Sequence, residues 1–320
     1  MKVFVTGAGG FIGRAVAERF CSQGDEVAGV DFKADPEHGV VAGDVSAPGP
    51  WQAAVTGSDV VIHTAAIVSN AYDVDESWRV NVLGTRNVLD AAAAAGVGRF
   101  VHISSVRAFS DLGFPDGVDE QHPVRPDGNP YVDTKIASEQ VVLQAHAAGE
   151  VECAIVRPGD VYGPGSRPWT ILPLEIIKSN RFLLPAMGRG VFSPAYIDDL
   201  VSGLVLAAER PEAVGQVFTI SGSHGVPAKE FFGHYFRMLG KRGPLCLPTP
   251  LAVTAARLAG AAERLRGNRT EINAASMLYL ARPGGYSIEK ARRLLGYEPA
   301  VDLSEGMRRT ETWLREQKLI

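Results

Sequence analysis

Apolar positions in the first half of the chain fall into short, nearly unbroken runs rich in Val and Ile, at 2–6, 26–31, 59–64, 99–104 and 152–157. Runs that are apolar throughout, rather than alternating, suit parallel strands covered on both faces. Longer helix-like stretches separate them at 11–22, 77–95 and 131–148. Strands alternating with helices of this length predict βαβ units, hence an α/β fold with a Rossmann-type doubly wound parallel sheet.

After Pro158 the texture changes. Gly159, Gly163, Pro164, Gly165, Pro168 and Pro173 follow closely, which marks loops rather than regular layers. A helix at 199–209, a strand at 216–221 and a helix at 228–239 come next, and the remainder is mainly helical between Pro244, Pro248, Pro250, Pro283 and Pro299. We expect two lobes with the chain crossing between them more than once. The sheet domain takes 1–165 and 191–222; a smaller, mainly helical lobe takes 166–190 and 223–320.

Composition narrows the class. With 46% hydrophobic and 21% charged residues the 320-residue chain is ordinary globular protein, neither disordered nor fibrous. A net charge of -4 gives no general attraction to nucleic acid or anionic lipid. Cys21, Cys153 and Cys246 are far apart and form no CxxC pair, so we expect no metal site and no disulfide framework. Met1-Lys2-Val3 runs straight into a strand-like segment, and the apolar stretch 251–265 is broken by Arg257, Glu263 and Arg264. We therefore expect no signal peptide, no membrane span and a cytoplasmic setting.

Candidate chemistry begins at Thr6-Gly7-Ala8-Gly9-Gly10-Phe11-Ile12-Gly13, which follows the first strand and opens the first helix. Glycines at 7, 10 and 13 let the backbone turn tightly, approach a pyrophosphate and pack helix against strand. The helix N-terminus then offers N–H groups and partial positive charge to the phosphates. The spacing is GxxGxxG rather than the more common GxGxxG. Asp31 ends the second strand, where a carboxylate can accept from both adenosine ribose hydroxyls and repels a 2′-phosphate. That favours NAD over NADP, although Lys33 is close enough to offer a phosphate a cation.

Tyr131 and Lys135 stand one turn apart on the same helix face, just after Pro130. A phenol has an ordinary pKa near 10, which a neighbouring ammonium group lowers. Tyr131 can then take the proton of a substrate hydroxyl, or return it. Ser105 closes the run His102-Ile103-Ser104-Ser105 at the carboxyl edge of the sheet, where its hydroxyl can hold the substrate oxygen.

With these motifs in order, the chain resembles the extended short-chain dehydrogenases/reductases over essentially its whole length. TGAGGFIG at 6–13 resembles that family's cofactor loop, and Gly43-Asp44-Val45 its adenine contact. His63-Thr64-Ala65-Ala66 is similar to the segment lining the cofactor, and Asn81-Val82-Leu83-Gly84-Thr85 to the helix bearing an asparagine near the active site. Ser105, Tyr131 and Lys135 fall on catalytic positions, with the lysine also on the nicotinamide ribose. Arg157-Pro158-Gly159-Asp160 resembles the segment beside nicotinamide and substrate. Tyr196-Ile197-Asp198-Asp199-Leu200 and 290–299 resemble later family segments. The resemblance thus implies that Gly7, Gly10, Phe11, Ile12, Gly13, Asp31, Asp44, Val45, Ala65, Ala66, Asn81, Tyr131, Lys135 and Pro158 hold NAD.

Departures from the pattern bear on the reaction. Asp160 stands where sugar-nucleotide members commonly carry Asn, and an acid there would repel a diphosphate; 191–195 also lacks an expected arginine. Val106-Arg107 replaces the Asp-Glu pair that dehydratases need. The text at 63–69, 102–105 and 157–163 is closest to 3β-hydroxysteroid and sterol dehydrogenases. We expect interconversion of a secondary alcohol and a ketone on a mainly apolar small molecule, in a pocket shaped by Val68, Phe109, Tyr162, Trp169, Met187, Tyr196 and Tyr279. Arg107 either pairs with a substrate carboxylate or lies solvated. A sugar-nucleotide epimerase and a non-catalytic NAD(P) sensor stand as alternatives. The resemblance also implies a homodimer through the helices at 77–95 and 131–148.

Overall fold

The structure is a computed structural model that describes residues 1–110 and 115–320. Its centre is a seven-stranded sheet. The strands are β1 (Lys2–Thr6), β2 (Glu26–Asp31), β3 (Val40–Ala42), β4 (Val60–His63), β5 (Arg99–Ile103), β6 (Glu152–Pro158) and, after four short strands, β11 (Val217–Ile220). They run parallel in the order β3-β2-β1-β4-β5-β6-β11. The order reverses between β1 and β4, and a crevice opens at such a switch point beyond the carboxyl ends of the strands. β3 is too short to stand out in the apolar pattern.

The unbroken apolar runs are explained by two covered faces. Val3, Val5, Ile62 and Val101 point into one core layer with Val16 and Phe20 of α1 (Phe11–Ser22) and Leu200 and Leu204 of α6 (Ile197–Glu209). Their neighbours Phe4, Val61 and Phe100 point the other way, onto Val88 and Leu89 of α3 (Gly84–Ala94) and Val142 and Ala145 of α4 (Pro130–Ala147). Successive residues alternate faces, so both layers need apolar side chains.

One expected helix is divided. The stretch 77–95 is α2 (Val74–Trp78), a π-helical turn (Arg79–Leu83) and then α3. The wider turn carries Asn81 into the interior, where it is 1% exposed.

The Pro- and Gly-rich region forms short ribbons: β7 (Asp160–Tyr162) beside β10 (Pro194–Tyr196), β8 (Leu183–Leu184) beside β13 (Leu245–Cys246), and β9 (Val191–Phe192) against β12 (Val226–Pro227). Around them lie α5 (Leu172–Lys178), α7 (Ala228–Met238), α8 (Thr249–Leu265), α9 (Ala274–Tyr279), α10 (Glu289–Leu295) and α11 (Leu303–Glu316). No helix among the described residues is long and apolar enough to cross a membrane.

A buried ion pair fastens α4 to the sheet. Glu139 receives both arms of Arg157, at 2.8 and 2.6 Å, and the Ser104 hydroxyl at 2.5 Å. Both side chains are nearly inaccessible, at 5% and 1%. The parallel two-bond geometry offsets the cost of desolvating both charges. Glu139→Ala should leave the guanidinium buried without its counter-charge and lower unfolding free energy by about 3–5 kcal/mol. Urea titration checks this, and a loss under about 1 kcal/mol would mean that water reaches Arg157.

Candidate active site

The crevice at the switch point has a volume of about 1380 Å³. This exceeds the ~300–1,000 Å³ usual for one small ligand and leaves room for a dinucleotide beside a second molecule. Gly7, Gly10, Phe11, Ile12, Gly13, Asp31, Asp44, Val45, Ala65, Ala66 and Pro158 all line it, as do Ser105, Tyr131 and Lys135.

The glycine loop is shaped by close approach. Gly7 has φ +66°, and a Cβ on Gly13 would stand 2.1 Å from the Gly7 carbonyl oxygen. The Gly10 N–H donates to that same oxygen at 2.9 Å. No side chain caps α1 at Gly10, so its first turn faces the crevice as a cradle suited to a diphosphate. Asp31 turns toward this loop, accepting from the Gly9 N–H at 2.9 Å and the Phe32 N–H at 2.7 Å. A carboxylate seated beside the loop fits a dinucleotide with a free ribose 2′-hydroxyl and opposes a phosphate there.

At the end of β4, His63 joins the loop to the helical layer. Its ring nitrogens meet Thr6 Oγ1 at 2.7 Å and Thr85 Oγ1 at 3.0 Å. Burial, with Lys135 nearby, pushes its pKa down to about 3, so the ring is neutral. Asn81 departs from expectation: it does not line the crevice. Its amide accepts from the Ile67 N–H at 2.8 Å and donates to the Ile67 carbonyl and Thr134 Oγ1, at 3.1 and 3.0 Å. It therefore pins the strap after Ala66 to α4 and has no free edge for a cofactor.

α4 presents the catalytic pair. Asn129 caps it by accepting from the Tyr131 N–H at 3.0 Å, and Pro130 supplies its first residue. Lys135, 3% exposed, donates to the Ile103 carbonyl at 2.8 Å. Burial lowers its pKa to about 8, against the pull of Glu139. Ser105 lies just past the end of β5 and opens a 3₁₀ turn (Val106–Phe109). Its Oγ accepts from the Arg107 N–H at 3.1 Å, which leaves the hydroxyl hydrogen to donate.

Of the residues expected to shape the pocket, Val68, Trp169 and Tyr279 line the crevice, as does Arg107. Arg107 is not solvated: it is 9% exposed, with its guanidinium carbon 5.2 Å from the Tyr131 ring centre and 4.9 Å from that of Tyr279. Four expectations fail. Tyr162 and Tyr196 pack edge-on at 5.5 Å inside the aromatic core with Phe231. Phe109 stacks on Tyr286 beneath Arg157, and Met187 sits on an outer turn, 47% exposed. Such placements depend on tertiary packing, which a linear pattern of aromatics does not encode.

Asp160 also needs correction. Its carboxylate accepts from Arg282 at 3.1 Å, from the Ser193 N–H at 2.9 Å and from the Tyr279 hydroxyl. Burial pushes its pKa up while Arg282 pulls it down. The acid forms part of a neutralised pair and carries no charge argument against a diphosphate. Sequence reading also missed the wall opposite Tyr131, built from Leu172, Ile176, Phe182, Phe232, Ala256 and Leu280. The alanines recurring along 252–262 were its one visible signal. Among the described residues no cluster of His, Cys, Asp and Glu could hold a metal ion.

Residues 3–221 match the model of the NAD dependent epimerase/dehydratase family. The chain belongs to that family. As a member it is an NAD-dependent enzyme of the extended short-chain dehydrogenase/reductase type. It is 31% identical to the 2-alkyl-3-oxoalkanoate reductase of Stenotrophomonas maltophilia (strain K279a), over 97% of this chain and 98% of the relative. It is 32% identical to the 3 beta-hydroxysteroid dehydrogenase/Delta 5-->4-isomerase of Mycobacterium tuberculosis (strain ATCC 25618 / H37Rv), over 96% and 88%. Among solved structures, MoeE5 in complex with UDP-glucuronic acid and NAD superposes with a TM-score of 0.80 at 24% identity, over 99% of this chain and 100% of that one. This last likeness concerns the fold.

Two substitutions test the family roles in this chain. Tyr131→Phe removes only the proton-transfer oxygen, so turnover should drop at least ~100-fold while NAD titration is unchanged. Substantial residual turnover would take Tyr131 out of the chemistry. Asp31→Ala should weaken NAD and narrow its advantage over NADP, measured as the ratio of their dissociation constants. An unchanged ratio would remove Asp31 from the cofactor site.

Proposed function

We propose that this enzyme interconverts a secondary alcohol and a ketone on a mainly apolar small molecule, with Tyr131 as the general acid/base. The observation that carries the reading is the wall facing Tyr131, where aliphatic and aromatic side chains of α5, α7, α8 and α9 line the crevice. A wall of this kind rewards burial of hydrocarbon and offers a sugar few partners. The relatives named as an oxoalkanoate reductase and a 3 beta-hydroxysteroid dehydrogenase support it.

NAD, held by the glycine loop and Asp31, supplies the hydride acceptor when bound. Ser105 donates its hydroxyl hydrogen to the substrate oxygen and fixes it at the sheet edge. Lys135, one turn from Tyr131, carries a charge at neutral pH that favours the phenolate. Tyr131 removes the hydroxyl proton as the alcohol carbon is oxidised, and returns it in reduction. Arg157 and Glu139 hold α4 against β6 so that these groups meet at a fixed separation.

The test is a screen of NAD reduction over steroid, long-chain aliphatic and sugar secondary alcohols, run beside an epimerisation assay with UDP- and dTDP-sugars. Turnover confined to the apolar alcohols is expected. Epimerisation of a nucleotide sugar, with no net change in NAD, would overturn the reading.

A further inference from the structure

We infer that Arg107 holds a carboxylate of the substrate, so that the molecule taken up is a hydroxy acid or oxo acid with its acid group beside the reacting carbon. This inference rests on the alcohol–ketone reading above and names its substrate class. The guanidinium lies in the crevice wall between the rings of Tyr131 and Tyr279, 5.2 and 4.9 Å from their centres. Its Nη1 donates to Asn70 Oδ1 at 2.9 Å. That oxygen also accepts from Asn129 Nδ2 at 2.8 Å, and Asn129 caps the catalytic helix. The Asn70 N–H is in turn held by Glu271 at 3.0 Å. The arginine is thus set in place by the same residues that start α4, and its backbone N–H contacts Ser105.

A planar guanidinium matches a carboxylate with two parallel bonds, and a site shielded from water strengthens that pairing. Separation decides which acids fit. A ligand that meets the Tyr131 hydroxyl and the guanidinium at ~2.8 Å each spans only a few bonds. A 3-hydroxy acid meets that requirement, with its hydrocarbon tail directed to the apolar wall. In the oxidation the alcohol carbon loses hydride to NAD, the oxygen loses its proton to the Tyr131 phenolate, and the C–O single bond becomes a carbonyl. The carboxylate is unchanged throughout.

The test uses purified protein with NAD and a matched pair, a straight-chain 3-hydroxy acid and its methyl ester. Wild type should favour the acid in kcat/KM by about 100-fold. Arg107→Met should lower that acid-to-ester ratio by at least about 30-fold, and Arg107→Lys should restore part of it. A fatty acid without the hydroxyl should inhibit wild-type ester oxidation competitively, a readout independent of whether the variants fold. A wild-type ratio near one, or no such inhibition, overturns the carboxylate role while ester turnover keeps the alcohol–ketone reading. An equal loss on acid and ester in Arg107→Met, with a displaced pH profile, overturns it too and makes Arg107 a positioning residue for Tyr131. Turnover of neither substrate, nor of any other apolar alcohol, overturns both.

Discussion

The arrangement depends on keeping one lysine ammonium inside the protein. Lys135 sits where water does not reach, and an isolated cation there would shed its proton unless the surroundings favoured the charged form. A strand-end carbonyl from Ile103 and the nearby Glu139 supply that preference, and the pKa settles at about 8. The neighbours conform to it. His63 and His102 stack at 5.5 Å, and burial together with Lys135 holds both rings well below their ordinary pKa. Two neutral imidazoles beside one cation keep the charge single, which a phenolate one turn away requires.

Fixing that cation also fixes the surrounding elements. Ser104 and Glu139 join the end of β5 to α4, and Arg157 brings in β6. Thr6, His63 and Thr85 carry a second chain of hydrogen bonds from the glycine loop to the helical layer. Cofactor loop and catalytic helix are therefore fastened to the same strand ends, so one rigid sheet sets the distance between them.

How much was legible in advance follows from how local each constraint is. The glycine loop, Asp31 and the Tyr131–Lys135 pair are set by backbone conformation and helical pitch within a few residues, so spacing reveals them. The strand pattern was readable because both faces of the sheet are covered. Tyr162, Tyr196 and Phe109 were misread because an aromatic in a loop-rich stretch has the same appearance whether it lines a ligand or fills a core. Asp160 was misjudged because its counter-charge, Arg282, lies 122 positions away. Asn81 was placed on the cofactor by resemblance, yet its amide serves the backbone of Ile67 and the helix that carries Tyr131.

The π-helical turn at Arg79–Leu83 has a consequence for how this chain tolerates change in length. Such a turn holds one more residue than an α-helical turn would, so removing a single residue there lets the helix close up into regular geometry. Everything downstream would then rotate by about 100° relative to what precedes it. Thr85 would swing off His63, and Asn81 would no longer reach both Ile67 and Thr134. Most surface segments absorb a lost residue by slackening a loop. This stretch would instead register it as a twist, carried through rigid structure toward the catalytic helix.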